Sequence, residues 1–326
     1  MKLGILGTGM IVKDLLTTYD LLGIEYTAVL ATKATEDEAS ALVDKYHLDK
    51  YFLDFDELLK DDIDTVYVAL PNHLHYSFAK KALEHGKHVI VEKPITANVQ
   101  ELKELIEIAK EKQLFIFEAM NIHYLPAYQA LKQCLTKIGQ PKIVSLNYSQ
   151  YSSRYNAFKA GNILPAFDFH KAGGALMDLN VYNIHGLTGL FGEPKRVNYL
   201  ANIENNIDTS GILTLDYDNF KAVSIGAKDC KAPVMLTFQG DGGVIKIDTP
   251  INQLTKFEYI NNNNEVETVD LNEGKHRLYY EFKEFIRMIE QNDVTKAAKM
   301  MEVSLTVSKI MNEARNQEGI VFDNDR

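Results

Sequence analysis

The chain has 326 residues, the length of about two average domains, and its 46% apolar content excludes overall disorder. A net charge of −10 without a cluster of Lys and Arg argues against a nucleic-acid partner. The sequence shows neither a signal-peptide core nor an apolar run of about 18 residues, and its two cysteines, Cys134 and Cys230, fit a reducing compartment or a single disulfide. We therefore expect a cytoplasmic protein without a membrane span.

The first 122 residues alternate apolar, strand-like runs with helical patterns. Short connections between apolar strands are typical of a parallel sheet with helices on both faces. The sequence therefore predicts an α/β domain with a doubly wound parallel sheet over residues 1–122. Its strands are expected at residues 2–6, 25–31, 51–53, 65–70, 88–91 and 114–119, and its helices at 10–22, 35–46, 55–60, 76–85 and 98–112.

Residues 123–326 lose this alternation. Helices are expected at 125–138, 174–190, 278–291 and 296–316, with a strand at 142–151, a loop at 152–171 and about six strands between 196 and 270. Successive strands joined by tight turns pair in an antiparallel manner. The sequence therefore predicts a second domain of the α+β class, built on a large and mostly antiparallel sheet.

A glycine-bearing turn, Gly7-Thr8-Gly9-Met10-Ile11, separates the first strand from the first helix. Gly7 permits a tight turn, and Gly9 lets a pyrophosphate approach the backbone amides at the start of the helix. The rival interpretation is a turn with a structural role only. Because the turn follows the first strand of a βαβ pattern, we predict that these five residues bind a dinucleotide.

The second predicted strand ends in Thr32 and Lys33. A site selective for NAD places an acidic residue there for the ribose hydroxyls, and none is present. Thr32 and Lys33 could instead hold a 2′-phosphate. The sequence therefore favours NADP, with NAD as the alternative.

A polar segment follows the fourth predicted strand. Leu70, Pro71 and Asn72 lie at its carboxyl end, where ligands bind in open α/β sheets, and His75 starts the next helix. We expect these four residues to contact the cofactor. Since no cysteine or carboxylate completes a ligand set with the neighbouring histidines, we predict no metal site.

The apolar strand at 88–91 leads directly into Glu92-Lys93-Pro94. A lysine at the exit of a buried strand needs a partner or water for its charge. The proline stiffens the backbone and favours an extended conformation at Lys93. The pattern indicates an ammonium directed into a cleft; the rival is a surface lysine ahead of a helix.

A glycine pair, Gly173-Gly174, precedes a helix that carries Asp178, Tyr182 and His185. Spacings of four and three residues place these three side chains on one helical face. A solvent-exposed face with incidental polar residues is the rival interpretation.

Together these motifs resemble the glucose–fructose oxidoreductase/inositol dehydrogenase (Gfo/Idh/MocA) family of NAD(P)-dependent oxidoreductases. The glycine turn, Pro71-Asn72 with His75, Glu92-Lys93-Pro94, Glu118-Ala119 and the Gly-Gly-x-Leu-x-Asp helix follow in family order along essentially the whole chain. Tyr182 stands where many members have His, as in the dihydrodiol dehydrogenase-like branch. Val12 and Asn180 replace small residues that are usual in the family.

The resemblance implies an N-terminal Rossmann domain and a C-terminal open-sheet domain whose exposed face forms a homodimer or homotetramer. It also implies that Lys93 contacts both substrate and nicotinamide ribose, that Asp178 binds substrate, and that Glu92 and Glu118 belong to the cofactor site. The expected reaction is hydride transfer between the nicotinamide and a secondary alcohol of a sugar, inositol or cyclic diol.

Tyr182 is the predicted proton donor or acceptor, with Lys93 stabilising its phenolate and His185 as the alternative proton carrier. Further substrate contacts are expected from His123, Tyr155 and Phe167. One rival function is a nucleotide-sensing regulatory protein without catalysis, which need not keep the set of Lys93, Asp178 and Tyr182. A second rival is a reductase of a linear tetrapyrrole or another aromatic substrate.

Overall fold

The computed structural model describes residues 1–326, which divide into two compact units. The first unit comprises Met1–Ala119 and Lys275–Ser304, and the second comprises Met120–Gly274 and Leu305–Arg326. The predicted division at residue 122 lies close to the first of these boundaries. It assigns residues 275–304 to the second domain, whereas in the structure they belong to the first unit.

The first unit contains a six-stranded sheet in which every pair is parallel, in the order β3-β2-β1-β4-β5-β6. This confirms the predicted doubly wound Rossmann sheet. Its strands are β1 (Lys2–Leu6), β2 (Tyr26–Leu30), β3 (Lys50–Phe52), β4 (Thr65–Val68), β5 (His88–Glu92) and β6 (Ile116–Ala119).

The register of these strands brings several chain segments to one edge of the sheet. Leu6 pairs with Leu30 and Val68, and Glu92 pairs with Ala119. Because all six strands run in one direction, the segments that follow them leave the sheet at its carboxyl edge, where ligands bind in this class of fold. The glycine turn and Lys93 both belong to those segments.

The second unit contains an eight-stranded sheet in the order β14-β13-β12-β11-β7-β10-β9-β8. Only β7 and β10 pair in parallel, so the mostly antiparallel prediction is confirmed. The region from 196 to 270 holds seven strands rather than about six. The strands are β7 (Pro141–Ser149), β8 (Arg196–Glu204), β9 (Ile207–Asp216), β10 (Lys221–Ala227), β11 (Leu236–Gly240), β12 (Gly243–Ile247), β13 (Lys256–Asn261) and β14 (Val266–Asp270).

Ten α-helices accompany the sheets, and none combines the length and apolar character needed to cross a membrane. They are α1 (Met10–Leu16), α2 (Glu36–Tyr46), α3 (Phe55–Lys60), α4 (His75–Glu84), α5 (Val99–Glu111), α6 (Pro126–Cys134), α7 (Tyr155–Lys159), α8 (Val181–Phe191), α9 (Arg277–Glu290) and α10 (Val294–Gln317). The helix expected at 10–22 ends at Leu16, because Thr17 and Thr18 donate to carbonyls three residues back and tighten the turn.

The helix expected at 174–190 is not regular. Leu176–Asn180 forms a turn of π-helix, and the α-helical part, α8, begins at Val181. Wider turns of this kind often occur at functional sites, and they change the angular offset between side chains. The four-residue spacing from Asp178 to Tyr182 crosses this turn and therefore does not place the two on one face, whereas the three-residue spacing from Tyr182 to His185 lies within α8.

Candidate functional site

The two glycines of the turn in the first unit have different surroundings. Gly7 has φ +110°, and a Cβ there would lie 2.7 Å from the carbonyl oxygen of Ala69. At Gly9 a Cβ would meet nothing within 4 Å. Gly7 is thus needed by the turn itself, whereas Gly9 leaves an open surface above the first amides of α1. These residues fit a pyrophosphate.

The rest of the turn divides into exposed and buried side chains. Thr8 is buried, and its hydroxyl donates to Glu38 Oε2 at 3.1 Å. Met10 is 69% exposed, and Ile11 is partly exposed. Val12, which stands where the family usually has a smaller residue, is fully buried. The turn therefore tolerates valine because its side chain enters the core.

Thr32 and Lys33 follow β2 and form a short 3₁₀ turn. Thr32 and Thr35 cap one another reciprocally. Lys33 is exposed and forms an ion pair with Glu36, which raises the pKa of Lys33. An anion approaching Lys33 has to compete with Glu36, but the exposed ammonium remains reachable.

The predicted cofactor residues after β4 have different surroundings. Pro71 is exposed, and Leu70 and Asn72 are partly exposed. His75 is fully buried, with Nδ1 2.9 Å from the carbonyl oxygen of Pro94 and Nε2 2.7 Å from that of Leu70. Burial lowers the pKa of His75. His75 therefore braces the main chain, which its position in the sequence alone did not indicate.

Glu118, at the end of β6, has a similar role. Its Oε1 accepts a hydrogen bond from the backbone N–H of Ile95 at 3.1 Å, and its side chain is buried. Glu118 and His75 thus hold the chain immediately after Lys93, whose peptide bond to Pro94 is cis. These two contacts fix the backbone of the two residues that follow Lys93.

Beside Lys93 lies a buried acidic cluster formed by Glu92, Tyr67 and Glu281. Glu92 accepts hydrogen bonds from the Tyr67 hydroxyl and, at 3.2 Å, from the backbone N–H of Lys93. Glu281 of α9 is fully buried, and neither of its carboxyl oxygens has a hydrogen-bond partner in the protein. Burial raises the pKa of Glu92 and, reinforced by the charge of Glu92, raises the pKa of Glu281 well above its usual range.

Sequence reasoning missed Glu281, although a signal was present. It occupies an apolar position of α9, between the buried residues Leu278, Phe282 and Phe285. Phe282 contacts Tyr67 edge to face, with ring centroids 5.0 Å apart. The helical periodicity of the apolar residues could therefore have identified a buried glutamate there.

In the second unit, Asp178 lies in the π-helical turn and forms an ion pair. Its Oδ2 is 2.7 Å from Nζ of Lys228, and its side chain is 35% exposed. Lys228 follows β10 and was not among the predicted site residues. Its place directly after a strand is the signal that singled out Lys93 and could have pointed to Lys228 as well.

Tyr182 and His185 have different neighbours on α8. Tyr182 is buried, with 8% of its surface exposed, and the centroids of its ring and the Tyr148 ring are 6.1 Å apart. His185 is fully buried, and its Nδ1 is 3.1 Å from Nε2 of His123. Burial and the neighbouring His185 lower the pKa of His123 well below its usual range. The two histidines therefore form a buried pair, and His185 has no surface for direct contact with a substrate.

Tyr155 and Phe167 belong to an aromatic cluster. Their ring centroids are 5.8 Å apart, and Phe158 stacks on Phe167 at 4.9 Å. The Tyr155 hydroxyl donates to Glu204 at 2.6 Å, which raises the pKa of Tyr155 to about 12. Both side chains are buried, so they shape the loop at 152–171 from within.

Asp208, a third residue that the sequence did not predict, holds the start of the helical segment. Its Oδ2 accepts hydrogen bonds from the backbone N–H of Leu176 at 2.6 Å and from the Tyr199 hydroxyl at 2.8 Å. A Cβ at Gly174, which has φ +106°, would lie 2.1 Å from Asp208 Oδ1. Burial raises the pKa of Asp208 to about 6. The second glycine of the motif is thus needed to admit this carboxyl group.

Asn180 stands where the family usually has glycine, and the structure accommodates it. Its side chain hydrogen-bonds to Ser224 of β10 and to Asn183. A Cβ at Gly226 of β10 would lie only 2.7 Å from Asn180 Cβ. The glycine on this facing strand therefore leaves room for the Asn180 side chain. No group of three or more His, Cys, Asp or Glu side chains is arranged to hold a metal ion.

Comparisons with known proteins identify a matching family and similar chains. The profile of an oxidoreductase family with an NAD-binding Rossmann fold, GFO_IDH_MocA, matches residues 1–120. The chain is 36% identical to the scyllo-inositol 2-dehydrogenase (NADP(+)) IolU of Bacillus subtilis, over 100% of this chain and 99% of that protein. It is 27% identical to the trans-1,2-dihydrobenzene-1,2-diol dehydrogenase of Mus musculus, over 67% of this chain and 65% of that protein.

Among solved structures, the 3-ketoreductase KijD10 of Actinomadura kijaniata, in complex with TDP-benzene and NADP, has a TM-score of 0.81. Its sequence identity is 20%, and the match covers 97% of each chain. At that identity the likeness concerns the fold alone.

Proposed function

The chain belongs to the Gfo/Idh/MocA family of NAD(P)-dependent oxidoreductases, and on that basis we propose that it interconverts a secondary alcohol and a ketone of an inositol, sugar or cyclic diol. The observation that carries the substrate class is the 36% identity to an inositol dehydrogenase along the whole chain. The resemblance predicted from the motifs is thereby confirmed, and the protein is a dehydrogenase or reductase acting on CH–OH groups. Its cofactor is NADP, with NAD as the alternative.

The residues of the first unit divide the work of holding the cofactor. The backbone amides after Gly7 and Gly9 receive the pyrophosphate, and Thr32 and Lys33 receive the 2′-phosphate. When bound, the nicotinamide supplies the carbon that accepts or donates the hydride. Lys93 contacts the nicotinamide ribose and the substrate. His75 and Glu118 keep its segment in place through Pro94 and Ile95.

The second unit supplies the groups that handle hydroxyls and protons. Asp178 accepts a hydrogen bond from a substrate hydroxyl, because its carboxylate is partly exposed. Tyr182 exchanges the proton of the reacting hydroxyl; a phenol has a reference pKa of about 10 and needs a nearby positive charge to act near neutral pH. The buried pair of His185 and His123 is the alternative proton route.

The open face of the eight-stranded sheet is the proposed contact between copies of the chain. Leu200 is 62% exposed, and Ile143 and Ile212 are also exposed on this sheet. Exposed apolar side chains grouped on one surface mark an interaction site. We propose a homodimer or homotetramer through this face, in the cytoplasm; sedimentation at micromolar concentration should find no monomer, and Leu200→Asp should produce one.

The cofactor assignment is tested by fluorescence titration with NADPH and NADH. We expect NADPH to bind about tenfold or more tightly, and Lys33→Ala to remove that advantage, because an exposed lysine is the proposed partner of the 2′-phosphate. Lys45→Ala, which removes another exposed charge of the first unit, is the control and should leave the preference intact. Equal binding of NADH and NADPH by the wild type would reverse the assignment to NAD.

The reaction itself is tested by turnover of scyllo-inositol, myo-inositol, D-xylose and a cyclic trans-diol with NADP. Tyr182→Phe should lower kcat by about 100-fold or more while cofactor affinity stays unchanged, because only proton transfer is lost. Tight cofactor binding with no turnover of any alcohol or ketone would favour the rival function, a nucleotide-sensing regulatory protein. A kcat retained in Tyr182→Phe would shift the proton role to the histidine pair.

A further inference from the structure

Lys228 is a buried cation with an unusual set of partners. Its side chain is 2% exposed, and its Nζ lies 2.7 Å from Asp178 Oδ2 and 2.7 Å from the carbonyl oxygen of Ala166. The same ammonium lies over the ring of Phe167, 4.5 Å from its centroid. Lys228 thus joins three elements: the end of β10, the π-helical turn and the loop at 152–171.

Burial of an ammonium costs free energy unless charge and hydrogen bonds compensate for it. Here a carboxylate, a carbonyl and an aromatic face all supply negative potential. The backbone of Lys228 is fixed as well, since its N–H donates to the Thr209 carbonyl at 2.8 Å and its carbonyl accepts from Ser152. A fixed ammonium therefore determines where Oδ2 of Asp178 lies.

We propose that Lys228 is a positioning residue for the reaction. It holds the Asp178 carboxylate in the orientation that binds a substrate hydroxyl, and it ties the segment of Ala166 and Phe167 to that carboxylate. This inference rests on the proposed role of Asp178. A substrate hydroxyl then meets an oriented, ionised acceptor rather than a mobile one, which favours a productive pose.

The same unit offers a matched pair whose two members are not among the proposed site residues. Arg315 is also 2% exposed, donates to Asp325 Oδ2 at 2.7 Å and to the carbonyl of Ile320 at 3.1 Å, and stacks on Phe322 at 4.0 Å. A purely structural role of Lys228 predicts the same behaviour for both cations. A positioning role predicts that only Lys228 affects turnover.

The test is a double-mutant cycle with NADP and scyllo-inositol. We expect Lys228→Met and Asp178→Asn each to lower kcat/KM for scyllo-inositol by about 100-fold. The affinity for NADPH should stay unchanged. Because Lys228 acts through Asp178, the double variant should be no worse than Asp178→Asn alone. Arg315→Met should lower the unfolding temperature and leave kcat/KM of the folded protein unchanged.

One further variant and a crystal structure test the positioning role of Lys228 in other ways. Lys228→Arg retains the charge and thus the fold, and a positioning role predicts about a tenfold loss of kcat/KM because a planar guanidinium moves its partner. A crystal structure of Lys228→Met should show the Asp178 carboxylate and residues 164–167 displaced; this readout does not depend on turnover. Wild-type kinetics in both Lys228 variants, multiplicative losses in the cycle, or an unmoved Asp178 would overturn the inference.

The result for Asp178 separates this inference from the proposed function. If Asp178→Asn retains wild-type kcat/KM, Asp178 does not bind the substrate, and Lys228 has nothing to position. If Asp178→Asn is impaired and Lys228→Met is not, the role of Asp178 stands and only the positioning inference fails.

Discussion

Glu92 and Glu281 of the first unit and Asp178 of the second unit have different partners for their carboxyl groups. In the first unit, Glu92 relies on Tyr67 and a backbone amide, while Glu281 has no hydrogen-bond partner in the protein. In the second unit, Asp178 is paired with the buried ammonium of Lys228. Burial penalises an ionised carboxylate, and either a proton or a cation can relieve that penalty. The raised pKa values of Glu92 and Glu281 favour their protonated forms, whereas Asp178 has a cation beside it.

The difference has a functional consequence. In the first unit, the raised pKa values of Glu92 and Glu281 disfavour the charged forms of the two carboxyl groups beside the Lys93 segment. In the second unit, Asp178 has an ammonium as its partner, and its partly exposed carboxyl group can accept a hydrogen bond from a hydroxyl.

The largest effect is expected at Glu281. Its raised pKa means that the folded state keeps a proton which the unfolded state releases above about pH 4.3. The free energy of unfolding then falls as pH rises towards the folded pKa. Glu281→Gln removes this loss, so denaturant titrations should find the variant more stable than wild type at about pH 8 and equal to it near pH 4.

Glu284 on the same helix provides the control with the opposite sign. Ion pairs with Arg287 and Lys296 oppose the cost of partial burial and lower the pKa of Glu284. Glu284→Gln should therefore lower the free energy of unfolding at about pH 8. The loss relative to wild type should become smaller as pH falls towards 4. A gain for Glu281→Gln that is independent of pH would contradict the protonated state of Glu281.

A smaller pH effect is expected at Asp208. Burial raises its pKa from 3.8 to about 6. Between these values the folded state holds a proton that the unfolded state has lost, so the free energy of unfolding falls as pH rises. In Asp208→Asn this fall is absent, and the variant should gain about 3 kcal/mol relative to wild type between about pH 4 and pH 7.

Asp216 in the same sheet is the control for Asp208. Lys221 and Arg196 lower the pKa of Asp216 to about 2, so its contribution has the opposite sign. The wild type gains stability as pH rises from about 2 to 4, and Asp216→Asn should lack that gain and so become less stable than wild type over this range. Parallel pH profiles for the two variants would show that burial does not govern Asp208.

The smallest effect is expected where an ion pair is exposed. Lys195 and Asp218 form such a pair, with side chains 64% and 66% exposed. Water and salt screen this interaction, so Lys195→Gln should leave the denaturation midpoint unchanged at physiological ionic strength. A clear loss there would show that charge pairing as such, rather than its burial, distinguishes Asp178.

The order of elements followed from the sequence because its signals were local. The glycine turn, the alternation of strand and helix, and the Glu92-Lys93-Pro94 segment are readable from neighbouring residues. Helix ends were less accurate: the first helix stops at Leu16, where two threonines tighten the turn. Site residues that belong to such local motifs, for example Gly7 and Lys33, could be named from the sequence, and their roles remain predictions.

The sequence by itself determined the family, the two sheet types and the positions of Lys93, Asp178 and Tyr182 along the chain. Only the tertiary structure brought Lys228, 50 residues away, onto Asp178 and buried His185 against His123. It also placed the buried ring of His75 between the carbonyl groups of Leu70 and Pro94, to which it hydrogen-bonds. The physical reason is that burial and charge pairing depend on which distant segments meet, and no local pattern of residue types encodes that meeting.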